Sequence, residues 1–267
     1  MYTKAIVTFI DILGFRDLVS KASFEEIKQK IDLITYFATP LADNDDDEGE
    51  ETFNPTIIQF SDSIIRVRPI DSGFNKKYQI GILFHELLDL VQAQGDLINK
   101  GILLRGGIAM GDVYISGNTI FGPAFISAYD IESKLANFPR IVISPDLIKE
   151  AKTNNLLKAN HHDLEQELKY IGNLTTKGDD GIWFVDYCRA VQEEVNEPED
   201  YVEFLKNHKS LIIENATAFK GLTSVSAKYM WLANYHNTCV ASKIKPEFIE
   251  SNNLLISESE LELLHSI

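Results

Sequence analysis

Two short acidic segments carry residue types that could do chemistry together. In Phe9-Ile-Asp-Ile-Leu-Gly-Phe15, the carboxylate of Asp11 closes a strand-like run that starts at Lys4, and a glycine turn and a helix follow it. A carboxylate at that point is a ligand for a hard cation, and the backbone N–H groups of the turn favour an anion. In Gln59-Phe60-Ser61-Asp62-Ser63, a second acid stands near the tip of a hairpin predicted from the β-rich runs Thr56 to Phe60 and Ser63 to Arg68. Taken singly, each acid is an ordinary turn or cap residue. On paired strands they would repel, and a pair of Mg²⁺ or Mn²⁺ ions about 4 Å apart would relieve that repulsion while activating a hydroxyl for phosphoryl transfer. Metal ions and turn N–H groups together suit a triphosphate.

Charge would build on phosphate oxygens in such a reaction, so a cation should reach them. Arg140 is the first candidate, because it follows Pro139 at a strand start, and Lys134, Arg105 and Lys177 come after it. Tyr129 and Glu132 share a helix face and could line a cleft, although packing of the tyrosine against a neighbouring element is the commoner arrangement. Other features read as structural. His161-His162 point in different directions, and Asp43 to Glu51 lacks the ordered spacing of a calcium loop. Lys228, Trp231 and Tyr235 form a packing face, and His236 is a core histidine.

The elements that must position these residues follow from periodicity. The run from Lys4 to Asp11 is a buried strand, and a helix broken near Ser23 spans about 16–38. After the Asp62 hairpin, Tyr78 to Lys100 has helical spacing, with Ile80, Leu83, Phe84, Leu87, Leu88, Leu90 and Val91 on one side and Gly101 ending it. Ile102 to Ala109 and Val113 to Ile115 read as two strands around Gly111-Asp112. Gly122 to Ala136 is helical, Arg140 to Ser144 is a strand, and Pro145 opens a short helix. Tyr170 to Gly172 and Ile182 to Tyr187 read as further strands, followed by helices near 200–218 and 221–239. The order β-α-β-β-α-β-β-α-β, then helices, predicts an α+β two-layer sandwich. Residues 1–190 would form its main domain, and residues 191–267 a helical extension packed on it.

Composition narrows the function classes. The chain has 267 residues, 45% of them hydrophobic and 24% charged, an ordinary globular balance. A net charge of −15 argues against a nucleic-acid or anionic-membrane partner, yet leaves room for a nucleotide held through metal ions. The two cysteines, Cys188 and Cys239, make no disulfide framework. With no membrane-length apolar run and no signal-peptide layout, a cytoplasmic location is expected.

The motifs themselves resemble a known family. Phe9-Ile-Asp-Ile-Leu-Gly-Phe15 is similar to the F-x-D-I-x-G-F opening of class III adenylyl and guanylyl cyclase domains. Phe60-Ser-Asp-Ser63 occupies the place of that family's G-D hairpin, Leu104 to Gly111 resembles its R-x-G-I-x-x-G strand, and Gly122 to Ser133 its following helix. The resemblance covers about residues 4–187 and implies a ferredoxin-like palm. It also implies two metal ions on Asp11, Asp62 and the Ile12 carbonyl, with triphosphate contacts from Ile12, Leu13, Gly14 and Phe15. The departures lie in the base and transition-state positions. Ile126 stands for the family's Asn, Asp130 for its Arg, Ile58 for its base-reading Lys (beside Gln59), and Thr119 for its second base-reading residue.

Gly122-Pro-Ala-Phe-Ile-Ser-Ala-Tyr-Asp-Ile-Glu132, Pro139-Arg-Ile141, Asp179 to Tyr187 and Lys228 to Asn237 look like the pyrimidine cyclases of Pycsar anti-phage defence. That likeness implies conversion of UTP or CTP to the 3′,5′-cyclic monophosphate. It further implies a homodimer with sites at the subunit interface and a separate effector that senses the product.

Overall fold

The computed structural model describes residues 1–39, 54–219, 222–257 and 259–260, so the acidic stretch 41–51 lies outside the described residues. The first half runs β1 (Thr3–Ile12), α1 (Phe15–Lys21), α2 (Phe24–Ala38), β2 (Thr56–Phe60), β3 (Ser63–Pro69), α3 (Phe74–Lys77), α4 (Ile82–Ile98) and β4 (Leu104–Ser116). The rest comprises β5 (Thr119–Phe121), α5 (Pro123–Lys134), β6 (Ile141–Ile143), α6 (Pro145–Ala151), α7 (Leu164–Leu174), β7 (Thr175–Lys177), β8 (Trp183–Val185), α8 (Tyr187–Ala190), α9 (Pro198–Ala218), α10 (Thr223–Lys243) and α11 (Pro246–Asn252).

The sheet order is β2-β3-β1-β4-β6-β8-β7, with β5 paired to β4 alone. Its first four strands pair antiparallel, and β6 joins β4 in parallel. The α2 and α4 connections make this a βαββαβ unit in ferredoxin-like order, so the expected α+β fold is the observed one.

Alternation along β1 sends its side chains to two different cores. Ile6, Ile10 and Ile12 pack with Ile34 of α2 and Leu83, Leu87 and Leu90 of α4. Ala5, Val7 and Phe9 pack beneath Ala124, Ala128 and Ile131 of α5. The sheet is thus covered on both faces where β1 and β4 lie, which adds a helical layer to the expected sandwich.

The two-face arrangement depends on Gly107. A Cβ there would lie 2.3 Å from the Ala128 carbonyl oxygen and 2.8 Å from the Glu132 nitrogen, so only glycine lets α5 settle onto β4. Ser23 explains the predicted break after α1. It caps α2 in a capping box with Glu26.

Three element readings change. The two strands expected around Gly111-Asp112 are one continuous 13-residue strand, because Val113 pairs with Thr3 of β1 and the chain reverses only beyond Ser116. Tyr170 to Gly172 lies inside α7, whose Asp163–Gln166 capping box starts a helix where a short apolar run suggested a strand. The helix read from Tyr78 begins at Ile82 instead. Gly81 is its N-cap, and that glycine's N–H is held by Glu167. The C-terminal helices share the α4-side core, since Leu205, Ile212, Leu232 and Val240 belong to the same cluster as Ile6 and Leu87. Among the described residues, no helix is long and apolar enough to cross a membrane.

Candidate active site

Register brings the acids together. Ile10 of β1 pairs with Ile64 of β3, so Asp11 falls level with Ser63 at the end of the β2–β3 hairpin. The hairpin turns tightly through Ser61 and Asp62, with Phe60 paired to Ser63. Ser61 takes φ 57°, a left-handed conformation that a small polar residue tolerates in a turn. The Asp62 carboxyl then meets that of Asp11. Partial burial, the hydrogen bond to Asp11 and the negative charge of Asp11 push the Asp62 pKa up to about 6. Ser63 Oγ donates to Asp11 Oδ1 at 3.4 Å.

On its other side, β1 presents Asp11 opposite Arg105 of β4. The guanidinium donates from Nε (3.2 Å) and Nη2 (2.9 Å) to Asp11 Oδ2. The same Nη2 lies 2.8 Å from Glu132 Oε1 of α5 in an ion pair. Glu132 is buried, and its pKa is raised by that burial despite the Arg105 charge. The α5 face of the sheet therefore carries two carboxyls, Asp11 and Glu132, around the Arg105 guanidinium, with Asp62 on the turn beside Asp11. Asp11 and Asp62, set side by side by the β1–β3 register and its turn, make the donor set a divalent cation would take over.

A second cation comes from an unexpected element. The Lys228 pKa is lowered first by burial and then by the positive charge of Arg105, which sets this α10 residue within electrostatic reach of the site. The sequence placed Lys228 only on a packing face. Its proximity depends on α10 folding back over the sheet, for which no local signal exists.

The remaining predicted residues divide. Ile12 is buried in the α4-side core, and Phe15 packs partly against it. Leu13 donates its N–H to the Leu103 carbonyl at 2.8 Å, so that N–H is not open to an anion. Gly14 takes φ 84° and accepts the N–H groups of Asp17 and Leu18 on its carbonyl. Ile58 is half-buried on the α5 face, and Gln59 is exposed beside the hairpin turn. Tyr129 is 48% exposed and meets Phe9 edge-to-face.

Two cations of the sequence reading are engaged elsewhere. Lys134 forms an exposed ion pair with Asp130 one helical turn away. Arg140 is buried, ion-paired with Asp180, and ringed by Phe138, Phe184 and Trp231, each 5.3 Å from its guanidinium carbon. Aromatic packing fixes it as a structural cation.

Thr119 stands at the far end of β4 from Arg105. At a strand's rise of roughly 3.3 Å per residue, the two ends of that strand are roughly 40 Å apart. Within one chain, Thr119 and Asp11 cannot touch one small ligand.

No protein-family model matches the sequence, and neither does any curated protein. Among solved structures, the chain is similar to the adenylyl cyclase CyaB from P. aeruginosa at 15% identity, over 69% of this chain and 94% of that one, with a TM-score of 0.41. It is likewise similar to the dimeric guanylyl cyclase domain of the RhoGC fusion protein from the aquatic fungus Blastocladiella emersonii at 15% identity, over 68% of this chain and 94% of that one, with a TM-score of 0.37.

Proposed function

We propose that the protein is a metal-dependent nucleotidyl cyclase that converts a pyrimidine triphosphate, UTP or CTP, to its 3′,5′-cyclic monophosphate and pyrophosphate. The observation that carries this reading is the strand register that sets Asp11 of β1 beside the β2–β3 turn bearing Asp62. The motif resemblance of residues 4–187 supports it. Asp11 and Asp62 would hold Mg²⁺ or Mn²⁺, which when bound lowers the pKa of the ribose 3′-hydroxyl and neutralises phosphate charge. Arg105 keeps Asp11 in its rotamer and, with Lys228, faces the polyphosphate as a cation. Glu132 holds Arg105 in place from α5. Ile58 offers an apolar contact in place of a purine-reading lysine, which favours a pyrimidine.

The active form in this proposal is a homodimer. Thr119 pairs in the β4–β5 hairpin, far along β4 from Asp11, and reaches a substrate held there only from a second chain. Exposed Phe121, Ile126 and Tyr129 supply an apolar face for that chain. The product would act as a messenger in anti-phage defence, read by a separate effector.

A second reading has one observation in its favour. Asp130, at the family's transition-state position, is occupied by Lys134, so the chain could bind a nucleotide without turning it over. Incubation of the purified chain with each of the four NTPs and Mn²⁺, followed by chromatography for cyclic monophosphates, separates the readings. A cyclic UMP or cyclic CMP product is expected. A purine product would remove the pyrimidine assignment, and nucleotide binding with no product would favour the silent module.

A further inference from the structure

A second group of metal-ligating side chains lies away from the acid pair, in the core that joins the C-terminal helices to the sheet domain. Cys188 of α8, His208 of α9 and His236 of α10 are all fully buried, and their ligand atoms lie within 4.8 Å of one another. Cys188 Sγ is 3.8 Å from His208 Nδ1, and that nitrogen is 3.1 Å from His236 Nδ1. A tetrahedral zinc ion with Zn–N near 2.05 Å and Zn–S near 2.3 Å sets its nitrogen ligands about 3.3 Å apart and nitrogen from sulfur about 3.6 Å apart. The observed separations fall within about 0.3 Å of both.

The surroundings match a structural metal site in further ways. Each imidazole has its outer nitrogen held: His236 Nε2 by the Leu254 carbonyl at 2.8 Å, and His208 Nε2 by the Tyr187 hydroxyl at 3.1 Å. Such contacts orient histidine ligands. A fourth donor would come from Cys239, one helical turn from His236, after a rotation of its side chain, since its sulfur stands outside the group of three mutually close ligand atoms. The Tyr201 hydroxyl lies 3.3 Å from Cys239 Sγ, placed to hydrogen-bond a thiolate. Two thiolates would also cancel the charge of one Zn²⁺, so the ion would add no net charge to a dry core.

We propose that Cys188, His208 and His236, joined by Cys239 through a rotation of its side chain, form a structural zinc site that clamps α9 and α10 to the segment after β8. Soft sulfur and imidazole donors select zinc over magnesium or manganese, so the site is chemically distinct from the acid pair. The proposal is independent of the cyclase reading.

The competing arrangement is metal-free. Tyr187, His208, His236 and the Leu254 carbonyl can form a continuous hydrogen-bonded chain with every ring nitrogen satisfied, leaving the cysteines as buried thiols. Metal analysis of the full chain, produced in zinc-supplemented medium and dialysed without chelator, decides between them. About one zinc per chain is expected, released on thiol modification, with cobalt replacement giving a thiolate-to-metal charge-transfer band. The Asp62→Asn variant should keep its zinc. Cys239→Ser should lose at least tenfold in zinc affinity with its far-ultraviolet dichroism retained. A cooperatively folded wild-type chain holding less than a tenth of an equivalent of zinc and giving no cobalt band would overturn the proposal. A Cys188–Cys239 disulfide found by mass spectrometry would overturn it equally, and neither test depends on a variant folding.

Discussion

Asp62 occupies the tip of a tight hairpin, where its carboxyl is only partly buried and its loss leaves no cavity. The Asp62→Asn variant should therefore melt within about 0.5 kcal/mol of wild type, as surface changes do, while cyclase turnover falls below detection. Retained turnover would show that the acids are a turn contact and nothing more. Arg105 makes a different prediction, because it touches both Asp11 and Glu132. Arg105→Gln should lower kcat by about 10²–10³, the usual cost of removing one preorganised charge-stabilising group. Its effect on KM should be smaller, because the lost contact is made chiefly in the transition state.

Glu86 tests the electrostatics of the scaffold apart from the site. It is fully buried between Arg66 and Arg68 and accepts from Thr8. Burial opposes its charge, but the two guanidinium groups outweigh burial and hold its pKa down to about 2. A carboxyl with a depressed folded pKa stabilises the protein above its unfolded pKa, near 4.5, and that stability is lost as pH falls toward 2. Glu86→Gln should cost about 3–5 kcal/mol at pH 7, by leaving two buried arginines short of a counter-charge. The gap to wild type in denaturant titrations should shrink between pH 4.5 and pH 2. A gap that does not change with pH would mean that the glutamate is not charged in the fold.

Helix α5 is the element on which the site's geometry depends. It reaches the sheet through Gly107 and carries Glu132 to Arg105, so its seating and the site's charge arrangement are one feature. Gly107→Ala should push α5 outward, at a cost of about 1–3 kcal/mol from overpacking. It should also lower turnover more than that stability loss explains, because Glu132 moves with the helix. Thermal melts and initial rates on the same preparation check both parts.

At the scale of the whole molecule, the helices beyond residue 190 pack on the main domain through a shared apolar core. Tyr201, Leu205, Leu232 and Val240 complete the face that α4 presents, so the helical extension is part of the fold. A chain ended after Ala190 would leave α4 and α8 with an uncovered apolar surface and should be insoluble or melt without cooperativity. The face bearing Phe121, Ile126 and Tyr129 should bury itself in a second copy. Sedimentation should show a dimer, and Ile126→Asp should yield a monomer that has lost activity but keeps its fold. A wild-type chain that sediments as an active monomer would remove the interface.

The sequence by itself determined most of the elements and their order, because alternation, helical spacing, caps and glycine turns are written in residues close to one another, while the unbroken length of β4 and the helix through Tyr170 depended on strand pairing and capping. It also marked Asp11 and Asp62 as the acids to watch, since each sits in a recognisable local motif. Tertiary structure alone decided which cations join them. Arg105 meets Asp11 through cross-strand register and Lys228 comes within electrostatic reach of Arg105 through the return of α10, while Arg140, attractive beside its proline, is withdrawn into an aromatic cage. Cys188, His208 and His236 are the same case in reverse, scattered along the chain and gathered only when three helices pack. Local periodicity fixes a residue's face, but its neighbours on that face come from other parts of the chain, and packing chooses them.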